Sequence, residues 1–134
     1  MEESVRVAEL ADRDILRSLA AEARAELSDK KGGDVVERLD PHRADSRAGI
    51  VNAVEDPDAT LLLGDIDGTP VGYGLMTLRT VVDGSYHATV EEIFVLPEAR
   101  SVGVGEAIIE ALLDDARERG AVAVQSTALP GDRA

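Results

Sequence analysis

Apolar and polar positions along the chain change their spacing several times, and each change marks an element. Val5, Val7 and then Leu10 alternate with polar neighbours, which predicts a short strand over Val5 to Leu10. Asp12 suits a helix cap, and Ile15, Leu16, Leu19, Ala23 and Leu27 then recur at helical spacing. Gly32-Gly33 and Pro41 punctuate Asp29 to Arg43, predicting a loop around one short helical turn at Val35 to Leu39. A second short helix is expected over Arg47 to Glu55, stopped before Pro57.

The pattern then turns strand-like. Thr60 to Ile66 predicts a strand, Asp67-Gly68 a tight turn, and Val71 to Val82 the returning strand. On that strand Val71, Tyr73, Leu75, Thr77 and Arg79 should share one face, with Gly72, Gly74, Met76 and Leu78 on the other. Asp83-Gly84 turns the chain again into a strand whose core run is Val90 to Leu96. From Glu106 to Arg119 there is no Gly or Pro. A helix there would present Val104, Ala107, Ile108, Ala111 and Leu112 on one side and Glu106, Glu110, Asp114 and Arg117 on the other. Gly120 ends it, and Ala121 to Ser126 predicts a last strand. The expected order is β-α-α-β-β-β-α-β: one mixed α/β (α+β) domain over residues 1–134, with a mostly antiparallel central sheet flanked by helices and a single right-handed β-α-β crossover.

Composition narrows the partners. With 27 acidic against 14 basic residues the formal net charge is -13, which repels nucleic acid and anionic membranes. No basic patch interleaved with aromatics offsets it, so neither is an expected partner. Aromatics are 2% of residues, so Ala, Val, Leu and Ile must fill the core. The chain has no Cys, which removes disulfides, thiolate catalysis and thiolate metal sites. Met1-Glu2-Glu3-Ser4 lacks the basic start of a secretory signal, so the expected location is the cytoplasm.

The chemistry concentrates at Arg100-Ser101-Val102-Gly103-Val104-Gly105, between the strand ending at Leu96-Pro97 and the helix from Glu106. Backbone N–H groups at a helix N-terminus point outward unpaired, and the helix dipole favours negative charge there. Gly103 and Gly105 let a bulky pyrophosphate approach the backbone without interference from a Cβ.

With this turn in its context, Glu92-Ile93-Phe94-Val95-Leu96-Pro97-Glu98-Ala99-Arg100-Ser101-Val102-Gly103-Val104-Gly105 resembles the GNAT superfamily of acetyl-CoA-dependent N-acetyltransferases. Nearly the whole chain matches the family in element order. The resemblance implies a GNAT-like acyl-CoA N-acyltransferase fold with acetyl-CoA as cosubstrate. It implies that Ile93 and Val95, in the segment Ile93, Phe94 and Val95, pair through their backbone with the pantetheine arm as an added pseudo-strand. Ser101, Val102, Gly103, Val104, Gly105 and Glu106 would offer N–H groups to the pyrophosphate, with Arg100 where the loop begins. Ser101 and Val102 depart from the family's usual Gly and basic residue there, which weakens phosphate attraction but leaves the N–H cradle. In the family another helix and two strands follow the last strand, and that helix often carries the Tyr that protonates the CoA thiolate. Ala128 to Ala134 looks like the approach to that helix, so the expectation is a partial chain, or a shortened protein completed by a partner.

Acetyl transfer to an amine needs a neutral amine in line with the thioester carbonyl, a base, and stabilisation of the oxyanion and the leaving thiolate. Glu91 and Glu92 lie just upstream of the pantetheine-pairing segment, where relatives such as polyamine acetyltransferases hold substrate-binding and base carboxylates. Adjacent strand residues face opposite ways, so without a bulge only one can reach the site. Glu91 is favoured, on the expectation that it shares a face with Thr89 and Ile93. Tyr73 and Tyr86 are the only phenols and so the candidate acids within the chain. Ser126 is a weak site candidate, His42 and His87 lack ligand spacing, and Asp56/Asp58 and Asp65/Asp67 read as turn residues, so no metal is expected. The acceptor is a small-molecule or peptide amine, its loops expected around Ser28 to Arg43 and Thr80 to Tyr86. Rival readings are a non-catalytic CoA-binding or interaction module, and a subunit completed by a partner chain, a homodimer included.

Overall fold

Glu3–Val7 (β1), Ala59–Ile66 (β2), Thr69–Thr80 (β3), Tyr86–Val95 (β4) and Ala121–Ser126 (β5) lie side by side in chain order in one sheet. The computed structural model describes residues 2–29 and 50–126, without the side chains at 27–29, 101 and 102. The expected helical turn at Val35 to Leu39, the loop around it, His42 and everything after Ser126 lie outside the described residues. The first four strands are antiparallel neighbours, whereas β4 and β5 run parallel. The parallel pair follows from the connection, because Val104–Glu118 (α2) crosses over between them. Arg13–Asp29 (α1) covers the opposite face. Residues 50–52 are helical and run into the turn Ala53–Glu55, which accounts for the described part of the expected second helix.

Both Asp-Gly pairs turn the chain, in different ways. Asp67 (φ 51°) and Gly68 (φ 85°) both have positive φ, the two-residue hairpin turn that matches strand twist. At the second hairpin, Gly84 N–H donates to the Val81 carbonyl and Val81 N–H to the Ser85 carbonyl, with Gly84 at φ 86°. That is a three-residue loop closed by a left-handed glycine. It starts the strand at Tyr86, earlier than the apolar run from Val90 indicates.

Each face of the sheet has its own core. Under α2 lie Leu62, Met76, Ala88, Val90 and Val95 with Val104, Ile108, Leu112 and Ala116 of the helix. Under α1 lie Leu61, Leu63, Tyr73 and Phe94 with Leu16, Leu19 and Ala20. The apolar stripe of α2 is as expected, but Ala107 and Ala111 stay half-buried and Ala116 completes the line. The helix approaches closely because β2 and β3 offer glycines beneath it. A Cβ at Gly64 would stand 2.5 Å from Val104 Cγ1 and 2.9 Å from Ile108 Cδ1, and one at Gly74 would collide with Ile108 Cγ2.

Two irregularities break the simple alternation. At Gly64/Asp65 the β2–β3 register skips Val71, so Val71 packs on the α2 side instead of with Tyr73 and Leu75. Asp65 is therefore no turn residue: it is 6% exposed in β2, its Oδ2 3.5 Å from Arg6 Nε. Asp12 is not the N-cap residue itself but stands in a capping box with Glu9, at the turn Leu10–Asp12 that leads into α1. Its carboxylate accepts the Glu9 N–H and both terminal nitrogens of Arg6 at 2.8 Å, which holds β1 to the helix start. These bonds, the one from Arg6 first, lower the Asp12 pKa from 3.8 to about 2. A depressed carboxylate contributes stability above its unfolded pKa and loses it as pH falls through the folded one. Asp12→Asn should therefore cost most above pH 3.8, with the cost falling away as pH drops through about 2, as measured by urea unfolding across that range.

Candidate active site

The second irregularity lies in β4. Leu75 pairs with Glu92 and Met76 with Val90, so Glu91 is an extra residue opposite no partner position on β3. A bulge of this kind turns two consecutive side chains toward one face of the sheet. The hydrogen bonds agree: Tyr73 Oη donates to Glu92 Oε1 at 3.1 Å, and Thr77 Oγ1 donates to Glu91 Oε2 at 2.7 Å. Tyr73 and Thr77 belong to the same face of β3, so both carboxylates stand on the α1 side. The expected face-sharing of Glu91 with Ile93 does not hold, since Ile93 packs on the α2 side with Val95. Glu91 and Thr89 do share a side. The simple alternation admitted one carboxylate; the bulge admits both.

Beyond the bulge the main chain is presented to the β5 side. Leu96 N–H donates to the Val71 carbonyl at 2.8 Å, which fixes the phase of the β3–β4 ladder. Phe94 then directs its backbone to β3, while Ile93 and Val95 direct theirs the other way. The Val95 carbonyl accepts Arg100 Nε at 2.9 Å from that other side. Registered pairing of β4 with β5 runs from Tyr86↔Ala121 to Val90↔Ser126. Ile93 and Val95 lie past its last pair.

Pro97–Val102 then forms a 3-10 turn, and Gly103, at φ 84°, redirects the chain into α2. An L side chain at that φ is strained, and a Cβ would lie 3.2 Å from Glu3 Oε2. Gly105 differs. Its added Cβ would meet only Val95 Cγ2, at an ordinary 3.7 Å, so the fold itself does not demand glycine there. Arg100 does not reach forward over the first turn of α2. Its guanidinium pairs with Glu26 of α1 and lies 5.8 Å from the centre of the Phe94 ring, clamping α1, β4 and the turn together.

The chain matches the acetyltransferase (GNAT) family model over residues 17–134. That span is most of its length. The protein belongs to the GNAT acetyltransferase family. Its fold is also that of solved acetyltransferases. It is similar to a ribosomal-protein-alanine N-acetyltransferase from Brucella melitensis biovar Abortus 2308, with 21% identity, a TM-score of 0.73, and 96% of this chain and 82% of that one covered. An aminoglycoside N-acetyltransferase in complex with CoA shares 20% identity at a TM-score of 0.69, covering 97% and 79%. A predicted acetyltransferase with acetyl-CoA from Clostridium acetobutylicum shares 11% at 0.73, covering 98% and 84%. No curated protein matches the chain in sequence. The mixed α+β fold and the order of its strands and of α1 and α2 are as expected, while of the second expected helix only residues 50–52 are described.

The remaining candidates separate. Tyr73 is 0% exposed, so it meets Glu92 from the interior and does not open to solvent; Tyr86 is 47% exposed at the far end of β4. His87 begins that same end of the strand, and Ser126 is exposed opposite Val90. Among the described residues no cluster of three or more His, Asp or Glu could hold a metal ion, and no helix is long and apolar enough to cross a membrane. Sequence reasoning missed Thr77 and the Tyr73–Glu92 bond; only the strand register could have revealed them.

Proposed function

We propose that residues 1–134 form one GNAT-like domain that acts in the cytoplasm as an N-acetyltransferase. It moves the acetyl group of acetyl-CoA to a primary amine of a small molecule or peptide by direct transfer. The N–H groups of 101–106 hold the pyrophosphate, and the backbone of Ile93 and Val95 aligns the pantetheine arm. Glu91 or Glu92 takes the proton of the attacking amine. The new bond joins the amine nitrogen to the carbonyl carbon while the C–S bond breaks, and the thiolate regains a proton to leave as CoA. No Cys is present to carry an acyl intermediate, which supports transfer within a ternary complex. The acidic surface suits a cationic acceptor.

The observation that carries this reading is the turn from β4 into α2, with Gly103 at φ 84° and a glycine at 105 that the fold's own packing does not require. The test separates binding from folding. Gly105→Ala adds a Cβ that meets only Val95 Cγ2, at an ordinary 3.7 Å, and should leave the urea midpoint at or above wild type, since Gly is a poor helix residue. It should weaken CoA binding by roughly tenfold in calorimetric titration, because the added methyl stands in the approach to the N–H groups. Unchanged affinity would place the diphosphate elsewhere. Failure of the unaltered protein to release CoA with any of a panel of amines would end the enzyme reading.

A further inference from the structure

Glu91 and Glu92 are brought to one face by a backbone irregularity, which fixes where the side chains start but not where the carboxylates rest. Two hydroxyls on the neighbouring strand supply that second constraint. Tyr73 rises from the fully buried layer under α1, flanked by Leu61, Leu63 and Phe94, with its ring 6.1 Å from that of Phe94. A ring so enclosed has little freedom to move, and its phenol donates to Glu92. Thr77, two pleats further along β3, donates to Glu91. The bulge lies between these two contacts, so each carboxylate has its own donor.

We infer that Tyr73 is a positioning residue for the transfer reaction, locking the Glu92 carboxylate from the hydrophobic interior while Thr77 locks that of Glu91. This rests on the reading of the two carboxylates as proton-accepting or amine-binding groups. A hydroxyl that donates to a carboxylate stabilises the ionised form, so the Tyr73 phenol also helps keep Glu92 ready to accept a proton. On the same face, past Thr77 and Thr89, stand Arg79 and His87 opposite each other, while Glu26 of α1 and Arg100 after β4 pair with one another. Tyr73, itself fully buried, acts from beneath through Glu92.

The experiment is Tyr73→Phe, which removes one oxygen and leaves the packing ring. We expect kcat/KM to fall roughly tenfold, its acidic limb to move to higher pH, and CoA affinity to stay unchanged. In a Glu92→Gln background the same substitution should cost nothing further. A fall of equal size in both backgrounds, or one with an unmoved pH profile, would reduce Tyr73 to a packing residue and overturn the inference. Should Tyr73→Phe fail to fold, Thr77→Val and Thr77→Ser test the positioning through Glu91: the first should lower kcat/KM with CoA affinity unchanged and the second restore it, and equal values in both would overturn it. If the wild-type protein turns over no amine, titration of the carboxyl 13C signals of Glu92 still discriminates. A pKa that rises in Tyr73→Phe upholds the positioning role and leaves only the enzyme reading at fault; an unmoved one overturns it.

Discussion

Replacing Glu91 by glutamine is expected to lower kcat/KM by roughly 100-fold, with CoA affinity close to wild type. A positioned general base contributes on the order of 10²–10⁴ in rate, and glutamine keeps the shape while removing the proton acceptor. The side chain has little reason to move, since Thr77 Oγ1 can still donate to an amide oxygen where it now donates to Glu91 Oε2 at 2.7 Å. Glu92→Gln is the necessary companion, because the bulge at Leu75/Met76 leaves both side chains on one face. The base is the residue whose loss removes the acidic limb from kcat itself; the other should mainly raise the KM of the amine and so mark kcat/KM alone. Steady-state kinetics from acid to neutral pH with both variants would assign the roles. If both variants keep near wild-type kcat/KM across that range, neither carboxylate serves the chemistry.

The largest effect on stability should come from Ile108→Ala. Ile108 is fully buried, and its branches fill the room that Gly64 and Gly74 leave in the sheet. Truncating such a side chain typically costs about 2–5 kcal/mol, lost transfer energy plus the cavity left behind. A domain of this size is stable by only about 5–15 kcal/mol, so much of the reserve would disappear. The opposite error is also costly: Gly74→Ala drives a methyl into Ile108 Cγ2. Combining the two should be milder than their sum, because the added methyl occupies the space vacated. Urea unfolding of the two single variants and the double variant tests this, and strict additivity would refute the account of why β2 and β3 carry glycine there. The consequence reaches the active site. The same close approach sets where the first turn of α2 stands relative to Val95, and hence where its N–H groups point.

How far the sequence could be read depended on which interactions each feature uses. The helical spacing of Leu16 and Leu19, the stripe on α2 and the strand before Pro97 are local patterns, and they appear where expected. Asp67-Gly68 and Gly103 were legible because positive φ strongly favours glycine or a neighbouring Asp. The misplaced faces trace to register. Val71 and Glu91 each stand at a skip between strands, and a skip of one residue reverses every face assignment beyond it. Asp65 resembled Asp67 in sequence, yet pairing with β1 draws it under Arg6.

The residues alone determined the order of elements, the glycine turn into α2 and the presence of two carboxylates beside it, since these follow from local spacing and backbone freedom. Tertiary structure decided that both carboxylates share a face, that Tyr73 and Thr77 hold them, and that Arg100 clamps α1 and β4 instead of reaching over the turn. Those outcomes depend on how one strand slips against another, and slippage is fixed by packing between residues distant in the chain.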